Sequence, residues 1–418
     1  MSTQTLIQHV RIFDGASVIA QDGSVMINAQ SGRIEQIWRD ASDSSPDTDH
    51  LATVIDGTGC TLIPGLIDAH VHAHQDLCLL ERAIRYGVTT VLDLHNERDW
   101  FQELKQVAER RRDVADIKSA CLSATVAGGW PTEILSVTTG NPELKNRTLR
   151  WPNLTDQQSI DEWIVANQAA GASFVKLMQE DGCFCSVPFS TWPIPTPSLE
   201  LQKRIVDTAH RNNLLAVAHA MSNHATLRVL AAGADGVAHS SMQPVTDEIV
   251  QAFKATNAFV IPTLTALASC TGDEPETRER IAQTLQGTEK EHVLGCVNVM
   301  REGYSVKACI GQVTALKEAG IDVICGTDTA TPLPGMRAGA SVYEELWMYV
   351  HRCGFTPIEA LASATSKTVD RFGFSDRGRI EEGRLADLVL VEGDPTQSIE
   401  ALWQTRKVWR NGDLLKAV

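Results

Sequence analysis

The sequence predicts an α/β fold: a (β/α)8, TIM-like barrel carrying a small β-sandwich built from both chain termini. Three observations predict it. Between residues 62 and 377 short apolar runs alternate with amphipathic helical tracts, the pattern of parallel strands joined by crossover helices. The strand-like runs fall at 62–70, 88–94, about 117–123, 173–178, 214–219, 235–239, 258–263 and 321–326, the eight that a closed barrel needs. Residues 1–61 and 378–418 share a different texture of short strands and turns and lack the material for separate cores, so the two ends are expected to pair.

Taken in order, Leu6–Phe13, Gly23–Asn28, Arg33–Trp38 and Thr53–Asp56 read as strands, with a polar loop over Ser42–His50 that carries Asp43, Asp47 and Asp49. In the barrel region Thr196-Pro197 offers a helix cap followed by proline at the first helical position, and Leu201, Ile205 and Ala209 then share one face. Thr356-Pro357-Ile358-Glu359 has the spacing of a capping box ahead of Leu361, Ala362, Thr365 and Val369. Residues 266–310 form an insertion with helical tracts. At the far end, Leu385–Val391 reads as an apolar strand and Val408–Asp413 as a strand entering a turn.

Bulk properties narrow the function. With 43% hydrophobic and 21% charged residues the 418-residue chain is an ordinary globular protein, and no apolar run approaches the roughly 20 residues that span a bilayer. The formal charge of −15 argues against a nucleic-acid or anionic-membrane partner. Met1–Ile7 lacks the basic and apolar blocks of a secretory signal, so a cytoplasmic enzyme acting on a small molecule is expected, with homo-oligomerisation open. The ten scattered cysteines are expected to be reduced; Cys183 and Cys185 form a C-x-C without the second pair that a zinc site would need.

The chemistry is carried by the strand ends. His70 and His72 close the first run, and side chains two apart on a strand face the same way, so the pair can grip one ion. Lys176 sits in the apolar run Phe174-Val175-Lys176-Leu177-Met178, where desolvation favours the neutral amine; a lysine snorkelling from a strand end or paired with a carboxylate fits the same context. His219 and His239 end consecutive βα units, although each alone could be a core histidine. Asp328 ends the eighth run, where an ordinary helix cap would also put an aspartate. A barrel brings all six residues to one rim.

With these residues in hand, the chain resembles the amidohydrolase superfamily. The motif Pro64-Gly65-Leu66-Ile67-Asp68-Ala69-His70-Val71-His72, the ordered Lys176, His219, His239 and Asp328, and the tail Gly378–Val389 carry the resemblance over nearly the whole length. It is similar in particular to the imidazolonepropionase-like branch with a strand-four lysine, which includes prolyl dipeptidases and ochratoxin-type amide hydrolases. The resemblance implies two divalent ions, zinc first. His70, His72 and Asp328 would hold one, His219 and His239 the other, and a carboxylated Lys176 would bridge both. It implies hydrolysis of an amide by a hydroxide shared between the ions, with Asp328 as proton shuttle. Relatives commonly carry His-Ala-His after strand five; here the segment is His219-Ala220-Met221.

Loops after strands two to four offer His95, as a catalytic or substrate-binding group, and the aromatics Trp130, Phe184, Phe189 and Trp192, which favour an aromatic or apolar acyl or amino-acid-type substrate if they face the site rather than packing the loops. Dipeptide, ester or lactone hydrolysis by the same mechanism, metal-dependent decarboxylation, and a non-catalytic binding role are the alternatives.

Overall fold

Short strands at both ends of the chain bury their apolar residues, and backbone pairing joins them in one sheet. In this computed structural model, which describes residues 4–40, 53–132, 134–135, 142–187, 192–331 and 333–415, Gln4–Phe13 pairs antiparallel with Val18–Asn28, which pairs in turn with Arg33–Trp38. On its other side Gln4–Phe13 meets Thr53–Asp56 and Cys60–Pro64 in parallel. Cys60–Pro64 continues to Leu388–Glu392, then Thr405–Arg410 and Asp413–Leu414, all antiparallel. The expected sandwich is therefore one continuous eight-stranded mixed sheet. Cys60–Pro64 is hydrogen-bonded on both sides, so no break separates two layers. The sheet curls, because Arg33 in its outermost strand bridges Leu385, just ahead of Leu388–Glu392. Ile7, Val10, Ile12, Leu62, Leu390 and Trp409 belong to its core cluster. The expected loop at 42–50 lies outside the described residues.

The single strand expected at 62–70 is two strands. Cys60–Pro64 belongs to the curled sheet, and Leu66–His72 (β1) opens the parallel system. The chain crosses between them at Gly65, whose N–H donates to Asp387 O at 2.7 Å. A Cβ at Gly65 would come within 2.2 Å of Thr89 Oγ1, so only glycine lets the backbone pass this close to the next strand.

β1 is followed by Val88–Asp93 (β2), Asp116–Ser119 (β3), Val175–Met178 (β4), Ala216–His219 (β5), Gly236–Ala238 (β6), Phe259–Ile261 (β7) and Thr329–Ala330 (β8). They form two four-stranded parallel sheets, ordered β8-β1-β2-β3 and β4-β5-β6-β7. Two contacts link the sheets. Ala124, beyond β3, bridges Leu177 of β4. On the other side, Ile324 donates to Val260 O while Ala69 donates to Cys325 O, so the segment before β8 is hydrogen-bonded to both β7 and β1. The expected strand at 321–326 is reduced to these contacts, and the regular extended run fails next to Asp328, whose φ is 59°. Likewise the run expected to reach residue 123 stops at Ser119, two residues before Cys121 at φ 56°.

Helices return the chain between strands. Leu77–Arg85 turns Leu80, Ala83 and Ile84 inward, and its cap Asp76 accepts from Cys78 N. Before Leu199–Arg211 the cap is Ser198, which accepts from Leu201 N, rather than Thr196. Pro197 is instead held in the turn ahead of the helix, its carbonyl accepting from Gln202 Nε2 at 2.9 Å. The capping box of Thr356 and Glu359 forms as expected. The insertion holds Leu264–Thr271, Pro275–Gln283 and Gly287–Leu294. Because the strands run parallel, their C-terminal ends face one way.

Candidate active site

At the end of β1, His70 and His72 bring their Nε2 atoms within 3.3 Å of each other. Asp328, just ahead of β8, reaches both: its Oδ1 lies 3.2 Å from His70 Nε2 and 3.1 Å from His72 Nε2. His239, after β6, places its ring 4.9 Å from that of His70, tilted, and 4.5 Å from that of His219 at the end of β5, edge-on. One candidate ligand atom each from His70, His239 and Asp328 lie within 4.8 Å of one another, a group able to hold a metal ion. Lys176 of β4 is buried with its Nζ lacking any hydrogen-bond partner, and His219 Nε2 and His70 Nδ1 are in the same condition.

Burial drives the electrostatics. It pulls Lys176 down to about 7, against the upward pull of Asp328. His70 falls to about 3 through burial and the neighbouring Lys176 charge. Burial likewise holds His219 and His239 well below the ordinary imidazole range. For Asp328 burial works upward, but the imidazoles of His70, His72 and His239 outweigh it, and the carboxyl stays well below its usual range. His72 is the exception: burial works downward, but Asp328 and Asp93 outweigh it and raise the imidazole. Neutral imidazoles at His70, His219 and His239 beside an ionised carboxylate are the protonation states of metal ligands.

Neighbouring groups orient these side chains. His239 Nδ1 bonds Thr263 Oγ1 at 2.8 Å, and His95 Nδ1 bonds Ser123 Oγ at 2.8 Å, leaving the buried His95 Nε2 without a partner. Asp68, two residues ahead of His70, accepts from Thr327 N at 3.0 Å and Thr327 Oγ1 at 2.7 Å, tying β1 to the backbone that presents Asp328. Burial raises the Asp68 carboxyl to about 7. Glu180, after β4, accepts from Gly182 N and Met221 N and lies 3.8 Å from His219 Nε2; burial lifts it to about 8. Glu180, Asp181 and Cys183 also form a group with ligand-like spacing beside the first. Five non-glycine residues at the strand ends have positive φ: His74 at 48°, Cys121 at 56°, His239 at 73°, Thr263 at 56° and Asp328 at 59°. Such backbone strain persists where the surroundings over-determine it, as at functional sites.

The cavity above this cluster is lined by His72, His95, Lys176, His219, His239 and Asp328 from below, with Trp130 and Phe184 in its wall. Trp130 lies 5.4 Å from the His219 ring and 5.7 Å from Phe184. Met221 occupies the wall where relatives are expected to carry a second histidine. Trp192 is not part of the lining: it is 47% exposed, with Arg301 stacked on its ring at 4.4 Å. A large aromatic in a proline-flanked loop can serve as a stacking platform at the surface as readily as a wall. Phe189 lies outside the described residues.

Asp68, Glu180, Thr263 and Ser123 escaped the sequence reading. Asp68 had a signal, a carboxylate inside the apolar run leading to His70; the lone hydroxyls had none.

Parallel strands that carry imidazoles and a carboxylate on one rim, with a mixed sheet built from both termini, define the architecture of a rim-site enzyme of the α/β class. The sequence matches the amidohydrolase family over residues 61–415, and the chain belongs to that family. It is accordingly a hydrolase acting on carbon–nitrogen bonds. Its fold is similar to that of a Xaa-Pro dipeptidase, with a TM-score of 0.76, 20% identity and 99% of both chains covered. It is also similar to A. niger ochratoxinase, with a TM-score of 0.73, 19% identity and 100% and 96% coverage. An uncharacterised protein of Mycobacterium tuberculosis (strain ATCC 25618 / H37Rv) is 25% identical over 376 residues, 87% of each chain. No helix among the described residues is long and apolar enough to cross a membrane.

Proposed function

We propose that this chain is a cytoplasmic, binuclear metal-dependent amidohydrolase that cleaves an amide of a small apolar or aromatic compound. On this reading residues 62–377 close into an eight-stranded catalytic barrel, supported by the hydrogen bonds from residues 322–325 to β7 and β1, and residues 1–61 and 378–418 form the accompanying domain. His70, His72 and Asp328 would hold one divalent ion, zinc first, and His219 and His239 the other. Lys176, carboxylated by carbon dioxide, would supply a ligand to both.

The observation that carries the reading is Lys176 itself. A buried amine with no partner, among imidazoles and a carboxylate, is costly as a cation and wasteful as a neutral group. Conversion to a carbamate makes it an anionic two-oxygen ligand, which suits a site that already offers nitrogen and oxygen donors. His70, His239 and Asp328 bring one ligand atom each within 4.8 Å of one another, so the two proposed ligand sets adjoin.

A metal pair held there supplies Lewis acidity, which activates water and polarises a carbonyl at neutral pH. The residues do the rest. Asp328, ionised and fixed by its neighbours, takes a proton at Oδ from the attacking water and returns it to the leaving nitrogen. His95, oriented by Ser123, directs Nε2 at the carbonyl oxygen as charge develops there. Trp130 and Phe184 hold the apolar part of the substrate and exclude water.

The test is hydrolysis of a panel of N-acyl amino acids, aryl amides, prolyl dipeptides and lactones before and after chelation. Amide cleavage that is lost with the metal and restored by zinc is the expected result. Activity that survives removal of the metal, or release of carbon dioxide without uptake of water, contradicts the proposal.

A further inference from the structure

The chemistry of the cavity wall narrows the substrate beyond an apolar amide, and this step rests on the hydrolase reading above. Among the described residues the lining contains no arginine and no tyrosine, and its one lysine is Lys176, already committed as a ligand. Around the rest of the cavity stand Trp130, Met178, Phe184, Met221, Leu267 and Met300.

Of three arginines next to the lining, two are ion-paired and one is stacked on an aromatic ring. Arg82 and Arg337 line the adjacent depression, which shares Thr331 and Leu333 with the cavity, and both pair with Glu289, at 3.5 and 3.0 Å. Arg301, whose N–H donates to Phe184 O, stacks over Trp192 on the exposed side. A free carboxylate on the substrate would lose its hydration against this wall and find no guanidinium or ammonium in return.

We infer that the substrate is an uncharged amide with apolar groups on both sides of the scissile bond, such as an aryl amide, a carbamate or a urea, and not a peptide or acylated amino acid bearing a free carboxylate. Uncharged groups bind this wall by area alone. Among the described lining residues a carboxylate would meet, besides the reaction centre, the imidazoles of His74 and His95, which burial holds in the neutral form and which offer no charge in return.

A matched pair tests this: N-(4-methylphenyl)benzamide and 4-benzamidobenzoate differ by a methyl against a carboxylate at the same position. The metal-loaded enzyme is assayed for kcat/KM on both, and the Asp328→Asn variant is titrated calorimetrically with both. The expected result is a preference for the neutral compound on the order of 100-fold in kcat/KM, with the same sign in Kd. Equal or better use of the carboxylate overturns the inference, and so does failure of both compounds to bind. A carboxylate preference that disappears in Arg301→Ala also overturns it, by locating an anion subsite at the mouth. If neither compound is hydrolysed yet the neutral one binds more tightly, the inference stands and the amide-cleavage reading falls.

Discussion

The two ends of the parallel strands treat buried charge in opposite ways. At their N-terminal end, Arg377 donates to Asp116 at 2.6 Å, to Thr90 Oγ1 at 2.9 Å and through its other nitrogens to Asp376. Arg410 donates to the carbonyls of Ala108 and Arg111 and faces Asp116 at 3.5 Å. Of the side-chain atoms of Arg377, Arg410 and Asp116 there, Arg410 Nε alone lacks a partner among the described residues. At the C-terminal end, atoms of His70, His95, Lys176 and His219 are all buried and unpaired, and the backbone around them is strained. One end is built to be satisfied by the protein alone; the other is arranged to be completed by something else. If the C-terminal end is the active site, as proposed, stability and function separate by position along the same strands.

Breaking the functional end has the largest expected effect on turnover. On the proposed reading Asp328→Asn would keep most of the ligand set but remove the proton acceptor, and kcat is expected to fall about 10²- to 10⁴-fold with metal content little changed. Steady-state kinetics alongside metal analysis check this, and retained activity would remove Asp328 from the proton path.

Breaking the structural end should do the reverse. Arg377→Ala leaves Asp116 buried beside fewer cations and is expected to cost roughly 3–5 kcal/mol of unfolding free energy, with kcat nearly unchanged in the protein that remains folded. The same network sets an acid limit. Burial pushes Asp116 upward, but Arg377, Lys118 and Arg410 outweigh it and bring it down to about 2, from an ordinary 3.8. A carboxyl depressed in the folded state contributes stability that is full above 3.8 and lost as pH falls through about 2. Denaturant midpoints measured from pH 5 to pH 2 should therefore fall in the wild type and fall less in Asp116→Asn.

The smallest contrast is between two tryptophans. Trp130→Ala, in the cavity wall, is expected to raise KM about tenfold. Trp192→Ala, at the surface under Arg301, should change KM by less than about twofold. Equal effects would mean that the mouth contributes as much binding as the wall.

The contrast also explains what the sequence could tell. Strand-end ionisable residues were legible because a histidine, lysine or aspartate at the close of an apolar run is conspicuous, and His70, His72, Lys176, His219, His239 and Asp328 do converge. The terminal pairing was legible from the matching textures of the two ends, although the hydrogen-bonding of Cys60–Pro64 on both sides, which makes one sheet, was not. The break at Gly65 had a local signal in Pro64-Gly65, but what requires the glycine is Thr89, a residue on the next strand, so one strand was expected where there are two. The same limit hid Ser123, Thr263 and Glu180, whose roles depend on partners far away in sequence. Trp192 shows the converse: a residue type suggestive of a substrate wall that tertiary packing places on the outside.

The most direct test of the contrast counts metal ions per chain, in wild type and Lys176→Ala purified without chelators. The account predicts close to two in the wild type and a fall toward one in the variant. Two tightly held ions in Lys176→Ala, or none in the wild type, would contradict the claim that the C-terminal end of these strands is completed by a shared metal pair.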